Sequence, residues 1–100
     1  MDTFQSPSRE ALSDLCHRWL ISDLSVFGSV ARGSSRADSD IDLLVTFRPD
    51  APWSTLDLVD LREELMKLFG RNVDLVEEKV IRNPYRRQSI LRDKSVLYAT

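Results

Sequence analysis

Helical and strand-like patterns alternate along this chain, and the alternation constrains its fold more than any other feature of the sequence. An order of this kind predicts an α/β (α+β) domain in which about three or four strands are covered by helices. The predicted elements, in chain order, are a helix opened by Ser6-Pro7, a strand at 24–27, a helical turn at 30–33, a strand at 40–47, a long helix from Ser54 to Gly70, a strand at 72–77, a helix from Asn83-Pro84 and an edge strand at 95–98.

The length of 100 residues allows one compact domain and is too short for two. We therefore expect a single domain over residues 1–100, without repeats or a low-complexity linker. The apolar runs are short and carry charge, and residues 1–10 are polar, so neither a membrane span nor a signal peptide is expected. These features predict a cytoplasmic protein.

Cysteine and histidine each occur once, at Cys16 and His17. A single cysteine excludes an internal disulfide and a cysteine metal cluster. Cys16 lies at helical spacing from Leu12, Leu15 and Trp19, which favours a buried apolar side chain over a reactive thiol. His17 has no nucleophile or ligand partner near it in the sequence, so a surface position is favoured over a role as catalytic base.

The formal net charge is −2, which argues against broad nucleic-acid binding because such binding needs a strong excess of basic residues. Basic residues do gather late in the chain, at Arg82, Arg86, Arg87, Arg92 and Lys94. We favour a solvated helix face for this group. The alternative is a patch for nucleotide phosphates or for an acidic partner.

Asp40 and Asp42 begin an apolar strand, and alternation places both carboxylates on the same face. Two carboxylates side by side repel each other, and a divalent cation removes that cost. Mg²⁺ prefers oxygen ligands from one or two carboxylates and completes its shell with substrate phosphates. An Asp-x-Asp pair alone is a weak signal, but its position at the start of an apolar strand favours a metal site.

Gly28-Ser29 follows a strand and precedes a helical turn. Glycine allows a phosphate to approach the backbone, and the N–H groups of the turn together with the serine hydroxyl can bind an anion. The alternative is an ordinary tight turn with a serine cap. Arg32 either binds a phosphate or holds the loop by pairing with Asp38 or Asp40. Ser39, beside the aspartate pair, is assigned to nucleotide binding.

Asp74 is a charged residue inside the apolar strand Val73-Asp74-Leu75-Val76. If this strand lies beside the strand of Asp40 and Asp42, the three carboxylates share one face and can hold two metal ions, with Asp74 as ligand or general base. The alternative is an edge-strand aspartate that faces water. Glu77 and Glu78, at the end of the strand, are interpreted as surface charges.

Gly28-Ser29, ten further residues and Asp40-x-Asp42 together resemble the signature of the nucleotidyltransferase superfamily related to DNA polymerase β. The longer motif, Gly-Ser-x-Ala-Arg-Gly followed by Ser-Asp-Ile-Asp-Leu-Leu-Val, is similar to that of the minimal nucleotidyltransferase branch of this superfamily. The resemblance extends over about residues 24–98. It implies a mixed sheet with helices packed on it, Mg²⁺ as cofactor and ATP as substrate. It also implies that Asp40 and Asp42 are metal ligands with Asp74 as the third carboxylate, and that Gly28 and Ser29 lie at the triphosphate.

Members of the branch that this chain resembles pair with a small helical HEPN toxin, an RNase that the nucleotidyltransferase neutralises by transferring AMP to a toxin tyrosine. The resemblance therefore implies an antitoxin that modifies a HEPN-type partner. One alternative is a non-catalytic antitoxin that sequesters its partner, and another is nucleotidyl transfer to a small molecule. A single domain leaves its acceptor side open, so Pro52, Trp53 and Leu56 are interface candidates, although core positions are favoured for Trp53 and Leu56.

Overall fold

The computed structural model describes residues 6–33 and 40–99. Its strands are β1 (Ile21–Phe27), β2 (Ile41–Phe47), β3 (Val73–Glu77) and β4 (Ser95–Ala99). They form one sheet in the order β3-β2-β1-β4, in which β1 is antiparallel to β2 and β4 while β2 and β3 are parallel. The predicted α/β (α+β) class, the mixed sheet and the edge position of the last strand are confirmed.

The helices are α1 (Arg9–Arg18), α2 (Gly28–Ala31), α3 (Thr55–Phe69) and α4 (Pro84–Asp93), with a 3₁₀ turn at Glu78–Val80. Within the described ranges, none of these helices has the length and apolar content needed to cross a membrane.

Side-chain caps fix where the longer helices begin. Asp57 accepts a hydrogen bond from the Ser54 N–H at 2.8 Å, which confirms the predicted start of α3. The predicted start of α1 is wrong by two positions: Ser8, not Ser6, is the cap, and its Oγ accepts a hydrogen bond from the Ala11 N–H at 3.2 Å. Two serines flank Pro7, and both fit the sequence pattern of a cap.

Strand β1 begins at Ile21 rather than at residue 24 because two polar residues join the sheet. The Ser22 hydroxyl donates a hydrogen bond to the Thr46 carbonyl oxygen on β2 at 3.1 Å, and the register shifts between Ile21 and Asp23. Pairing with β2 thus overrides the weak strand preference of serine and aspartate. The helical turn after β1 also begins earlier than predicted, at Gly28 instead of residue 30.

The larger core lies between one face of the sheet and the helices α1 and α3. Its buried members include Leu12, Leu15 and Cys16 of α1, Leu61, Leu65 and Phe69 of α3, and Ile41, Leu43 and Val45 of β2. Burial raises the pKa of the Cys16 thiol to about 12, so the thiol stays neutral and the predicted apolar role is confirmed. His17 is exposed, as predicted, and its ring meets that of Tyr98 edge-on.

The opposite face of the sheet carries a smaller apolar cluster of Phe27, Leu44 and Ile90. Ile90 belongs to α4, so α4 covers this second face. Because side chains alternate along a strand, Asp42 points to the same face as Leu44 and away from the larger core. The fold therefore places Asp42 on the α4 side, where β1 ends and β2 begins.

Trp19 joins α1 to α3 and to the segment before α3. Its indole Nε1 donates a hydrogen bond to Glu64 Oε2 at 2.7 Å, and Glu64 Oε1 accepts another from Arg18 at 2.8 Å. Trp53 donates through Nε1 to the Trp19 carbonyl oxygen at 2.6 Å and packs against the core, as favoured from the sequence. The core position favoured for Leu56 is wrong: it is 79% exposed, because the first turn of α3 directs it away from the sheet.

Replacing Glu64 with alanine is expected to destabilise the protein by about 1–3 kcal/mol, since the buried Trp19 N–H loses its acceptor. Glu64→Gln keeps an acceptor and should cost less. The hydrogen bond from Arg18 is the main reason that the pKa of Glu64 is lowered. A carboxylate with a lowered folded-state pKa stabilises the protein above its ordinary pKa of about 4.3, and this contribution is lost as the pH falls.

Urea unfolding of the wild type and both variants across the acidic range checks this expectation. The stability difference between wild type and Glu64→Gln should begin to shrink as the pH falls below about 4.3, where the carboxyl group of the unfolded state becomes protonated, and should vanish once the carboxyl group of the folded state is protonated as well. A pH-independent difference would show that the charge on Glu64 contributes nothing and that only packing was lost.

Candidate active site

Two strands bring Asp42 and Asp74 side by side. In the parallel pairing of β2 with β3, Asp42 is in register with Asp74, and on its other side it pairs with Phe27, the last residue of β1. The predicted adjacency of the two strands is therefore confirmed. Asp42 is half-buried, whereas Asp74 is exposed, and so is Asp40, which immediately precedes β2.

The electrostatic environment of Asp42 disfavours its charge. Burial is the main reason that the pKa of Asp42 is raised above its ordinary value, and the neighbouring carboxylates of Asp74 and Asp40 raise it further. The cationic groups of Arg32 and Arg86 act in the opposite direction. A bound cation would remove the cost of bringing three carboxylates together.

Gly28 lies directly against the Asp42 carboxylate. A Cβ placed on Gly28 would overlap Asp42 Oδ2 and would lie 3.1 Å from its Cγ. Gly28 also has φ +71°, in the left-handed region that favours glycine. The turn that begins α2 thus requires glycine both for its backbone conformation and for the space that the carboxylate occupies.

Two of the residues predicted to bind nucleotide lie in the turn after β1. Ser29 is half-buried in α2, one residue beyond Gly28. Arg32 follows α2 and forms an ion pair with Asp93 of α4, with Nη1 3.6 Å from Oδ2. Among the described residues Arg32 thus pairs with α4 and not with Asp40, the first of the two loop partners considered for it, while a pair with Asp38 stays a prediction. Asp38 and Ser39 lie outside the described residues.

The late basic residues divide into structural and exposed members. Arg87 donates to the Glu78 carbonyl oxygen and to Glu78 Oε1, both at 3.1 Å, and Thr46 Oγ1 donates to Glu78 Oε2 at 2.6 Å. The favoured interpretation as a solvated face is therefore wrong for Arg87, and the interpretation of Glu78 as a surface charge is wrong as well. Glu77 is also paired, with Lys79 at 3.3 Å. The contacts of Glu78 with Arg87 and Thr46 hold α4 against the ends of β2 and β3.

Sequence reasoning assigned no role to Asp93 and left Arg86 within the basic group. The signal that could have found them is their spacing from Ile90: Arg86 precedes it by four residues and Asp93 follows it by three. Residues at these spacings lie on one face of a helix. Contact of Ile90 with the sheet therefore places both charged residues on the side of α4 that faces the sheet.

Within residues 6–33 and 40–99, no three His, Cys, Asp or Glu side chains are arranged as ligands of one metal ion. Asp42 and Asp74 nevertheless supply carboxylate oxygens on adjacent strands. Mg²⁺ commonly takes one or two carboxylates and fills the rest of its shell with phosphate and water. The donor chemistry thus fits Mg²⁺ bound together with a nucleotide better than a closed protein cage.

A family model described as the nucleotidyltransferase domain matches residues 8–97. The chain belongs to the nucleotidyltransferase domain family. The resemblance drawn from Gly28-Ser29 and Asp40-x-Asp42 is thereby confirmed, and the protein is an enzyme of the nucleotidyltransferase class.

Two relatives of this nucleotidyltransferase carry the name of protein adenylyltransferases. Protein adenylyltransferase MntA of Thermococcus cleftensis is 39% identical over 70 residues, which cover 70% of this chain and 69% of the relative. MJ1379 of Methanocaldococcus jannaschii, provisionally named a protein adenylyltransferase, is 38% identical over 76 residues, which cover 76% of each chain.

Solved structures share the fold of this nucleotidyltransferase. One provisionally described as a minimal nucleotidyltransferase has a TM-score of 0.71 at 42% identity and covers 87% of this chain and 86% of that chain. A toxin-antitoxin structure with AMP-PNP has a TM-score of 0.74 at 20% identity, covering 93% and 74%. A complex of a tri-AMPylated Shewanella oneidensis HEPN toxin with an MNT antitoxin has a TM-score of 0.65 at 18% identity, covering 92% and 70%. For the two toxin-antitoxin structures, at 20% and 18% identity, the likeness concerns the fold alone.

Proposed function

We propose that this nucleotidyltransferase transfers AMP from ATP to a tyrosine hydroxyl of a HEPN-type partner and so acts as the antitoxin of a toxin-antitoxin pair in the cytoplasm. The observation that carries the proposal is the in-register pair of Asp42 and Asp74 beside the Gly28 turn. Relatives named protein adenylyltransferase and the AMPylated toxin of a structural neighbour support the choice of acceptor.

Asp40, Asp42 and Asp74 would hold Mg²⁺, as two ions, in this proposal. Bound Mg²⁺ would neutralise phosphate charge and lower the pKa of the acceptor hydroxyl. Asp42 is the central member because it is half-buried and has a neighbouring carboxylate on the adjacent strand. Asp74 and Asp40 are exposed, which suits ligands that turn toward the metal when the nucleotide arrives.

Gly28, Ser29, Arg32 and Ser39 would hold the triphosphate. Gly28 has no side chain, so the backbone of the turn can lie close to a phosphate. Arg32 is 56% exposed at its side chain although Asp93 orients it, so its guanidinium remains accessible to an anion. A guanidinium can bind phosphate through two parallel hydrogen bonds.

The transfer is a single displacement at the α-phosphorus. The tyrosine oxygen bonds to that phosphorus while the bond from the phosphorus to the bridging oxygen breaks, and pyrophosphate leaves with the electron pair. Asp74 is our choice of acceptor for the hydroxyl proton, since its exposed carboxylate at the start of β3 is open to a docked protein.

Incubation with ATP labelled on the α-phosphate, Mg²⁺ and a lysate of the source cells tests the proposal. A labelled protein band is expected with the wild type and with the control variant Asp60→Asn, an exposed aspartate on α3. The double variant Asp40→Asn, Asp42→Asn should give no band. Label on a tyrosine of a helical partner would establish the acceptor.

A second candidate function is sequestration of the partner without catalysis. The lack of a preassembled three-ligand metal cluster in the described residues favours it. A partner that co-purifies equally with the wild type and the double variant, and that is never labelled, would move the conclusion to sequestration. No label in any protein and no partner would leave transfer to a small molecule.

A further inference from the structure

Helix α4 turns one line of side chains toward the sheet. Arg86, Ile90 and Asp93 are spaced by four and three residues, so they lie on one face of the helix. Ile90 packs against Phe27 and Leu44, and Asp93 pairs with Arg32 after α2. Arg86, one helical turn before Ile90, is therefore directed along the same surface of the sheet.

That surface contains the carboxylate of Asp42. Phe27 is in register with Asp42, and Leu44 lies two residues farther along β2 on the same face. The positive charge of Arg86 opposes the rise in the pKa of Asp42, as expected for a guanidinium near this carboxylate. Arg86 is exposed, and it forms no ion pair with any residue in the part of the chain that the structure describes.

Positive charge is concentrated around this helix. Residues 79–94 contain six of the chain's 14 Lys and Arg residues but one of its 16 Asp and Glu residues. The segment therefore carries a formal charge of +5, and the remainder of the chain carries −7. A nucleoside triphosphate that approached only the carboxylates would be repelled, whereas the α4 side of the site attracts it.

We propose that Arg86 binds the β- and γ-phosphates of the nucleotide and is a substrate-binding residue of the transfer reaction. The inference rests on the proposed function, which supplies the triphosphate. Its physical basis is the position of Arg86 on the helix face that Ile90 packs against the surface presenting Asp42, with a guanidinium that has no ion pair among the described residues. A guanidinium suits this role because its planar donors match two phosphate oxygens.

Arg86 would also favour the chemical step. As the α-phosphorus leaves the bridging oxygen, negative charge moves onto pyrophosphate. A cation at the β- and γ-phosphates binds that product-like charge more strongly than the ground state, so it lowers the barrier. Arg32 would complement it from the end of α2.

The test compares the affinities of ATP, ADP and AMP, each with Mg²⁺, by calorimetry of the full chain. Arg86→Gln should weaken ATP binding about 10- to 100-fold, the range for one charge-assisted hydrogen-bonded contact, and leave AMP binding unchanged. Arg86→Lys should recover part of the loss. Arg92→Gln is the matched control, because Arg92 is an exposed arginine on the same helix, about a third of a turn away from the Arg86 face.

Each departure from this pattern overturns the inference in a distinguishable way. Wild-type protein that binds no ATP would refute the proposed function together with the inference. Equal ATP affinity for wild type and Arg86→Gln would refute the inference alone. Equal losses for AMP and ATP would exclude contact with the β- and γ-phosphates. An equal loss for Arg92→Gln would show that the general field of α4, not a contact of Arg86, attracts the nucleotide.

Discussion

Gly28→Ala is expected to lose most nucleotidyl transfer and to destabilise the protein by roughly 2–4 kcal/mol. Part of the cost, about 1–2 kcal/mol, comes from holding an L-residue at φ +71°. The rest comes from the new methyl group, which overlaps Asp42 Oδ2 and forces the carboxylate or the turn to move. Because a displacement of about 1 Å at a catalytic group can cost on the order of a hundredfold in rate, activity should fall further than stability.

Gly70→Ala separates the two causes. Gly70 has the same φ of +71°, but a Cβ there would meet nothing within 4 Å. The Gly70→Ala variant should therefore lose only the stability that the positive φ costs an L-residue, and it should retain activity. The thermal unfolding midpoint and the initial rate of AMP transfer are the two measurements. Identical losses of stability and activity in both alanine variants would contradict a special role for the space beside Asp42.

A combined variant gives a sharper check of that contact. When Asp42 is itself replaced by alanine, the Oδ2 and Cγ atoms that crowd the new methyl group are gone, and the remaining Cβ lies at 3.4 Å, an ordinary van der Waals contact. The added cost of Gly28→Ala in this background should then fall to the value measured for Gly70→Ala. A cost that stays as large as in the wild type would locate the strain elsewhere in the turn.

The parts of the site that are local in sequence could be predicted from it. Alternation alone places Asp42 on the face opposite Ile41, and the apolar run around Asp74 marks a strand. Capping signals likewise located the starts of α3 and α4, because a cap is read from residues within one turn. These predictions use contacts between near neighbours, which the residue pattern encodes directly.

The parts that depend on packing between distant segments could not be predicted. The sequence favours a surface charge at Glu78 because its partners, Thr46 and Arg87, lie 32 residues before and nine residues after it. The apolar side chain of Leu56 favours the core, but it does not reveal which side of α3 faces the sheet. The spacing from Ile90 places Arg86 on the same helix face, but which surface that face meets follows only from the contact of Ile90 with β1 and β2.

Asp42→Asn is expected to abolish nucleotidyl transfer while stabilising the protein in the absence of divalent cations. The wild-type carboxylate is partly buried and is in register with Asp74, and both conditions disfavour its charge. Removing that charge should raise the free energy of unfolding by roughly 0.2–1 kcal/mol, the range measured for side-chain pairs on neighbouring strands. Transfer should fall at least about a thousandfold, because a metal-binding carboxylate supports several kcal/mol of transition-state stabilisation.

Thermal unfolding of Asp42→Asn and wild type, in EDTA and then in Mg²⁺ with ATP, measures both effects. At about 100 times the dissociation constant, the ligands should stabilise the wild type by about 2.7 kcal/mol, a rise on the order of 10 °C for a chain of this size. Asp42→Asn should lose this rise while melting at or above the wild-type temperature in EDTA. Asp60→Asn serves as control and should behave as the wild type does. A variant that melts lower in EDTA but keeps the full rise would show that Asp42 is a structural residue and that the ligands are held elsewhere.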